Sequence, residues 1–355
     1  MPVCLQKRAC TPKTSANIMK RVSLKDIAKM TGASPSTVSF VLNGKAREMR
    51  ISDDLAKKIV MIAKREGYHP NQVAVRLRTG KSQMLGLVVE SISGNFFAAL
   101  AKVIEEEAEQ YGYKVVYCAT ENDGKKGQEL IKMLSQQQVD GYIITPAIGM
   151  EQDVEELIEH KKPVVLLDSY FPQMDVPHVL VDNYGGVAKG MKHLISRGYK
   201  KIGFITVDLQ LIQIKDRLQA YTESLKAANI PVNKKHILSL GYKITRADAI
   251  EQISAFIKNN PQLDALFFAT NYLGLLGIES LQKLAMNIPK DVAMMSFDDH
   301  DVFRLFPPGI TIIEQPVEEI AKTAINLLMS QLGKNKPARK NKVQLPAKLV
   351  VRGTT

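Results

Sequence analysis

The sequence predicts a multi-domain protein: a small all-α domain of helix-turn-helix type at the N-terminus, then an α/β core of two parallel-sheet subdomains. Three observations carry that expectation. Residues 22–43, VSLKDIAKMTGASPSTVSFVLN, read as two short helices on either side of a glycine. From Met84 onward, short apolar runs alternate with amphipathic stretches of helical period. The chain has 355 residues, more than one ordinary domain holds.

Residues 1–19 lack periodicity and are expected to form a disordered leader, with Met19 as the physiological start. The DNA-binding domain is expected over residues 20–69. Ser23 can cap a first helix whose apolar residues Leu24, Ile27 and Ala28 recur at helical spacing. Gly32 breaks the pattern and supplies the turn. A second helix begins after Ser34, with Pro35 at the first helical position, where a missing N–H costs nothing. Val38, Val41 and Leu42 face inward, leaving Ser36, Thr37, Ser39 and Phe40 outside. A helix of this kind enters the DNA major groove. After a basic loop, Ser52 can cap a third helix over residues 53–66, which Gly67 ends. Residues 70–82 hold a helix of only two turns, capped by Asn71 and ended by Gly80. Such a helix is marginal until something packs on it.

The core is expected over residues 83–355. Strands are predicted at 85–89, 114–118, 141–145, 164–168, 201–206, 236–240, 265–269 and 292–297, with helices between them. Regular alternation implies parallel sheets with helices on both faces, and ligands at the carboxyl ends of the strands. Asp298, Asn271 and Asp168 all fall at such ends, and Phe96 and Phe97 follow the first strand.

Net charge locates the partner. Residues 1–81 hold 17 Lys and Arg against 5 Asp and Glu, while residues 82–355 hold 31 of each. The whole excess of +12 therefore sits beside the helix-turn-helix, as a polyanion partner requires. The three cysteines have no metal-ligand spacing, and no run approaches the ~20 apolar residues of a membrane span, so a cytoplasmic protein without membrane contact is expected. Enzyme chemistry finds no support: GxSxG, a phosphate-cradling glycine loop and CxxC are all absent. Asp298-Asp299-His300-Asp301 looks like a metal cluster, but consecutive residues point in different directions and no second group matches it. No cofactor is expected.

The blocks VSLKDIAKMTGASPSTVSFVLNG and EGYHPNQVAVRLRTGKS make the chain resemble the lactose-repressor (LacI/GalR) family of bacterial transcription regulators. Gly94-Asn95-Phe96-Phe97, LISRGYKKIGFIT, Ala269-Thr270-Asn271 and Ser296-Phe297-Asp298-Asp299 support it in the same order. The resemblance implies a core like type I periplasmic binding proteins and a homodimer on a palindromic double-stranded operator. The effector would be a sugar or sugar phosphate, with a purine left open. It implies base contacts from Pro35, Ser36 and Phe40. Phenylalanine cannot grip guanine with two hydrogen bonds but can pack on a thymine methyl. Thr37, Ser39 and Asn43 would meet phosphates, with Ser23, Leu24 and Ser34 at the same surface. Residues 70–82 would be a hinge helix whose Leu77 wedges into the minor groove, supported by Asn71, Val73 and Arg78. Arg217 matches the ligand-binding arginine, suited to two-pronged binding of hydroxyls or a carboxylate. Asn95, Phe96, Phe97, Asp168, Asn271 and Asp298 would complete the effector site.

Overall fold

The computed structural model describes residues 22–68, 80–335 and 340–355. The chain divides into two units, residues 1–80 and 81–355. The expected leader and the residues of the expected hinge helix, Asn71, Val73, Leu77 and Arg78 among them, lie outside the described residues.

In the first unit α1 spans Leu24–Thr31, α2 Pro35–Leu42 and α3 Asp53–Arg65. Ser23 and Asp26 cap α1 reciprocally. The Asp26 N–H donates to Ser23 Oγ at 3.3 Å and the Ser23 N–H donates to the Asp26 carboxylate at 2.8 Å, so two donors at the helix start are satisfied. Gly32, at φ 71°, takes the left-handed turn that ends α1. Ser34 Oγ accepts from the Thr37 N–H at 3.1 Å and starts α2. Ser52 precedes α3 but makes no side-chain capping bond, contrary to expectation. Asp53 and Asp54 in the first turn meet the positive helix end instead. Ile27, Ala28, Val38, Val41, Ile59, Ile62 and Ala63 form the core of this unit.

The second unit holds two sheets. The first is built from β1 (Met84–Val89), β2 (Lys114–Ala119), β3 (Gly141–Ile144), β4 (Val164–Leu167), β5 (His178–Val181) and β11 (Lys342–Leu345), in the order β11-β5-β4-β3-β1-β2. The second is built from β6 (Ile202–Asp208), β7 (Ile237–Gly241), β8 (Ala265–Phe268), β9 (Ala293–Phe297), β10 (Thr311–Glu314) and β12 (Lys348–Val350), in the order β12-β10-β9-β8-β6-β7. Helices α4 (Asn95–Gln110), α5 (Gly124–Gln136), α6 (Glu151–Glu159) and α12 (Val317–Gln331) cover the first sheet. Helices α7 (Asn183–Ser196), α8 (Ile212–Ala227), α9 (Arg246–Asn259) and α10 (Asn271–Lys283) cover the second. A short α11 (Asp301–Leu305) follows β9. The chain passes between sheets after β5, after β10 and between β11 and β12.

The parallel expectation needs one correction. β12 pairs antiparallel with β10, because it runs back along the edge of the second sheet. β5, β10, β11 and β12 were not foreseen: each has three or four residues, and no helix separates β4 from β5 or β11 from β12. The alternation that marks the other strands is missing at β5, β11 and β12, and β10 is preceded only by the five-residue α11.

Close helix-to-sheet packing in the second subdomain turns on Gly277 of α10. A Cβ there would lie 2.2 Å from the Phe268 ring, and Phe268 is fully buried. Gly277→Ala is expected to lower stability by about 1–3 kcal/mol through overpacking. A denaturant midpoint unchanged from wild type would refute that account of the contact.

Candidate functional site

Two surfaces carry candidate residues, one in each unit. On the first, Ser23, Ser34, Pro35, Ser36 and Asn43 are exposed, and Leu24, Thr37, Ser39 and Phe40 are half-buried. Leu24 packs against the core of its own unit, so its role there is at least partly structural. Phe40 is not among the side chains packed on that core. It stands one turn from Ser36 on the same helix face. Ser34 and Thr37 share a hydroxyl–hydroxyl bond of 2.8 Å, and Asn43 Nδ2 donates to the Ser39 carbonyl at 2.7 Å. These small polar groups stay poised at the surface, and the nearby loop adds exposed Lys45, Arg47 and Arg50.

On the second surface, a cavity of about 510 Å³ opens between the two sheets at the carboxyl ends of their strands. Asp168 follows β4 and Asp298 follows β9. Both take left-handed backbone conformations, at φ 64° and 67°, which Asp tolerates better than most residues. Each is held by a glutamine: Gln213 Nε2 donates to Asp168 Oδ2 at 3.1 Å, and Gln315 Nε2 to Asp298 Oδ1 at 2.5 Å. Arg217 of α8 lies near both acids, only 3% exposed, with its Nη1 4.0 Å from Asp298 Oδ2. Its Nε donates to Asn183 Oδ1 at 2.8 Å and its Nη1 to the Ala269 carbonyl at 2.7 Å. The guanidinium carbon sits 3.6 Å over the Phe297 ring.

This geometry narrows one expectation and corrects another. Arg217 lies in the second turn of α8, which begins at Ile212. Its Nε is engaged by Asn183 and one Nη1 hydrogen by Ala269, so a two-pronged grip on a ligand is left to the remaining Nη1 and Nη2 hydrogens. Asn95 begins α4, is exposed, and does not line the cavity. It lines a neighbouring groove of about 430 Å³ instead, because one step along a helix turns a side chain by roughly 100°. Phe96 reaches both spaces. Phe97 lines the cavity but is mostly buried, meeting Phe96 edge to face at 5.0 Å. Asn271 lines the cavity, with Nδ2 donating to the Asp299 carbonyl at 3.3 Å.

The acidic run at 298–301 is pulled apart. Asp298 faces the cavity, Asp299 pairs with Arg352 at 2.8 Å, and Asp301 pairs with Arg304. His300 Nδ1 accepts from the Val302 N–H and caps α11. Among the described residues no group of three or more His, Cys, Asp or Glu is placed to hold a metal.

Sequence reading missed Glu90, Gln213, Gln315 and Tyr242, all lining the cavity, as Tyr272 beside Asn271 does too. Glu90 directly follows β1, so the strand-end rule that pointed to Asp168 applied to it equally. Burial, reinforced by the negative charge of Asp168, pushes the Glu90 carboxyl up to about 7, although the Tyr242 hydroxyl partly offsets this. Burial lifts Asp168 to about 6 against the pull of Arg217. Asp298 is raised by burial, with Arg217 and the Gln315 amide opposing.

Residues 23–71 match the family model of bacterial regulatory proteins, lacI family, and residues 191–355 match the periplasmic binding protein-like domain. The ribose operon repressor of Halalkalibacterium halodurans is 30% identical over 336 residues, spanning 94% of this chain and 97% of that protein. The chain belongs to the lacI family of bacterial regulatory proteins. As a family member it is a DNA-binding transcription regulator under small-molecule control, and not an enzyme. Catabolite control protein A of Priestia megaterium is 29% identical over 94% of this chain and 99% of that protein. The lac repressor dimer, solved bound to operator and an anti-inducer, superposes with a TM-score of 0.81 at 22% identity, covering 94% and 99% of the two chains. No helix among the described residues is long and apolar enough to cross a membrane.

The raised carboxyls predict a pH dependence. A group protonated more readily in the folded than the unfolded state stabilises fully below its unfolded value. That contribution is lost as pH rises through its folded value. For Glu90 the window runs from 4.5 to about 7, and for Asp168 from 3.8 to about 6. The thermal midpoint of the ligand-free protein is expected to fall across these windows, and Glu90→Gln to flatten the upper part. Identical profiles for the two proteins would contradict the placement of Glu90.

Proposed function

We propose that this regulator acts in the cytoplasm as a homodimeric repressor on a palindromic operator, and that the cavity between its sheets binds the controlling ligand, a sugar or related polyol. One observation carries the ligand reading. Acceptor groups from both subdomains, Asp168 from the first and Asp298 and Gln213 from the second, line one cavity beside the Phe96 ring. Sugar hydroxyls donate to such acceptors, and sugar faces pack on aromatic rings. The excess of carboxylates argues against a phosphorylated sugar. The Phe96, Tyr242 and Tyr272 rings favour a purine as the second reading.

For DNA, Pro35, Ser36 and Phe40 read base edges, and Thr37, Ser39 and Asn43 meet phosphates, with Ser23 and Ser34 beside them. The exposure of Ser36 and the freedom of Phe40 from the core support this. Asn71, Val73, Leu77 and Arg78 enter by resemblance alone, Leu77 as the minor-groove wedge. Control follows from closure. The Gln213–Asp168 bond and a Lys243–Asp123 ion pair of 3.6 Å join the subdomains. A ligand that prefers one spacing of the subdomains shifts that equilibrium, and DNA shifts it reciprocally.

Operator binding is expected to weaken steeply with salt, as log affinity against log salt measured by fluorescence anisotropy. Phe40→Ala is expected to relax preference at a thymine-bearing position by about 1–3 kcal/mol while sparing the salt slope. Arg217→Lys is expected to weaken the effector response by about ten-fold or more while operator affinity without effector is retained. An unaltered response would remove Arg217 from the ligand site.

A further inference from the structure

The cavity walls carry an imbalance that a neutral ligand leaves standing. Four carboxylates line it, Glu90, Glu121, Asp168 and Asp298, against two cations, Arg217 and Lys243. Lys243 is turned to Asp123 at 3.6 Å. Arg217 bears on both Asp168 and Asp298, so one cation serves two acids. The groups that bear on Glu90 are Asp168, Glu121, Tyr242 and Asn122, and none of them is a cation.

The hydrogen bonds of two lining glutamines point in the same sense. Gln213 and Gln315 are 4% and 5% exposed and each donates one amide N–H, to Asp168 and Asp298 respectively. In both, Oε1 is buried without a partner. A carboxylate can only accept, so it fixes which end of each amide faces it and leaves an acceptor over. Unpaired buried acceptors and unpaired buried negative charge both cost free energy until a donor arrives.

A neutral sugar supplies donors but no charge, and its hydroxyls also bring acceptors. A phosphate or carboxylate adds to the excess. An ammonium group has three donors, no acceptor and a positive charge, and the rings of Phe96, Tyr242 and Tyr272 lie within the same lining to face it. We propose that the effector carries a protonated amine on a polyhydroxyl frame, an amino sugar or amino-polyol, with Glu90 and Asp168 as its counter-ions. This rests on the cavity being the effector site. The hydroxyls of the frame meet the other two carboxylates of the lining, Glu121 and Asp298, and the ammonium holds Glu90 ionised, so binding at neutral pH releases protons from the cavity to solvent.

The test uses the full-length protein in calorimetry and thermal shift. Probes are matched sets in gluco, galacto and manno forms, each a neutral hexose, its 2-amino counterpart and its 6-phosphate, with sorbitol and glucamine as an open-chain pair. Heats are read at pH 7 in two buffers of different ionisation enthalpy to count protons. In at least one set the amine is expected to bind ten-fold or more tightly than its neutral and phosphorylated partners, with proton release. Glu90→Gln is expected to erase that preference. Tighter binding of the neutral or phosphorylated member in every set that binds overturns the proposal and leaves the effector cavity in place. Silence at every amine also overturns it. Silence at every compound removes the cavity reading as well.

Discussion

Arg217 is a cation held almost wholly out of water, and the cavity side of the core is arranged around it. Its guanidinium carbon sits over the Phe297 ring, two of its donors go to Asn183 and Ala269, and negative charge lies nearby at Asp298. A buried cation is tolerated only where its donors are satisfied and a counter-charge is near. Those conditions require α7, which carries Asn183, the end of β8, and the end of β9 to converge. That convergence is also what shapes the cavity. The first subdomain contributes through Asp168, whose bond to Gln213 of α8 crosses between the two sheets. Charge satisfaction and ligand geometry are thus set by the same contacts.

The N-terminal unit works under a different constraint. Among the described residues, seven buried apolar side chains form the centre of its core, a small number, so helix ends matter in proportion. Reciprocal capping at Ser23 and Asp26, the Ser34 cap with Pro35 behind it, and the glycine turns at 32 and 67 place the helices with little core to spare. The polar side chains left outside on α2 are free to meet another molecule because the core does not need them.

Legibility tracked chain length and local chemistry. Helices of three or more turns and strands flanked by them could be read because their periodicity is local and repeated. β5, β11 and β12 could not, because no helix separates β4 from β5 or β11 from β12, and β10 follows a helix of only five residues. Asp168, Asn271 and Asp298 were legible because a parallel sheet presents its strand ends to a ligand. Glu90 obeyed the same rule and was passed over, since a single glutamate after a strand has no motif to announce it. Asn95 was misplaced for the opposite reason: a block of adjacent residues was treated as one site, whereas the helix turns Asn95 to the neighbouring groove alone and Phe97 to the cavity, with Phe96 reaching both.

By itself the sequence determined the helix-turn-helix, the doubly layered α/β core, the segregation of basic charge and the family. These rest on period, capping residues and charge counts, which neighbouring residues carry along the chain. Tertiary structure alone decided the charge and hydrogen-bond balance of the cavity. The two bonds that Arg217 donates inside the protein, the orphaned oxygens of Gln213 and Gln315, and the grouping of Glu90 with Asp168 and Glu121 arise between residues tens to hundreds of positions apart. A hydrogen-bond balance is a sum over partners, and no partner list exists until the two sheets are brought together.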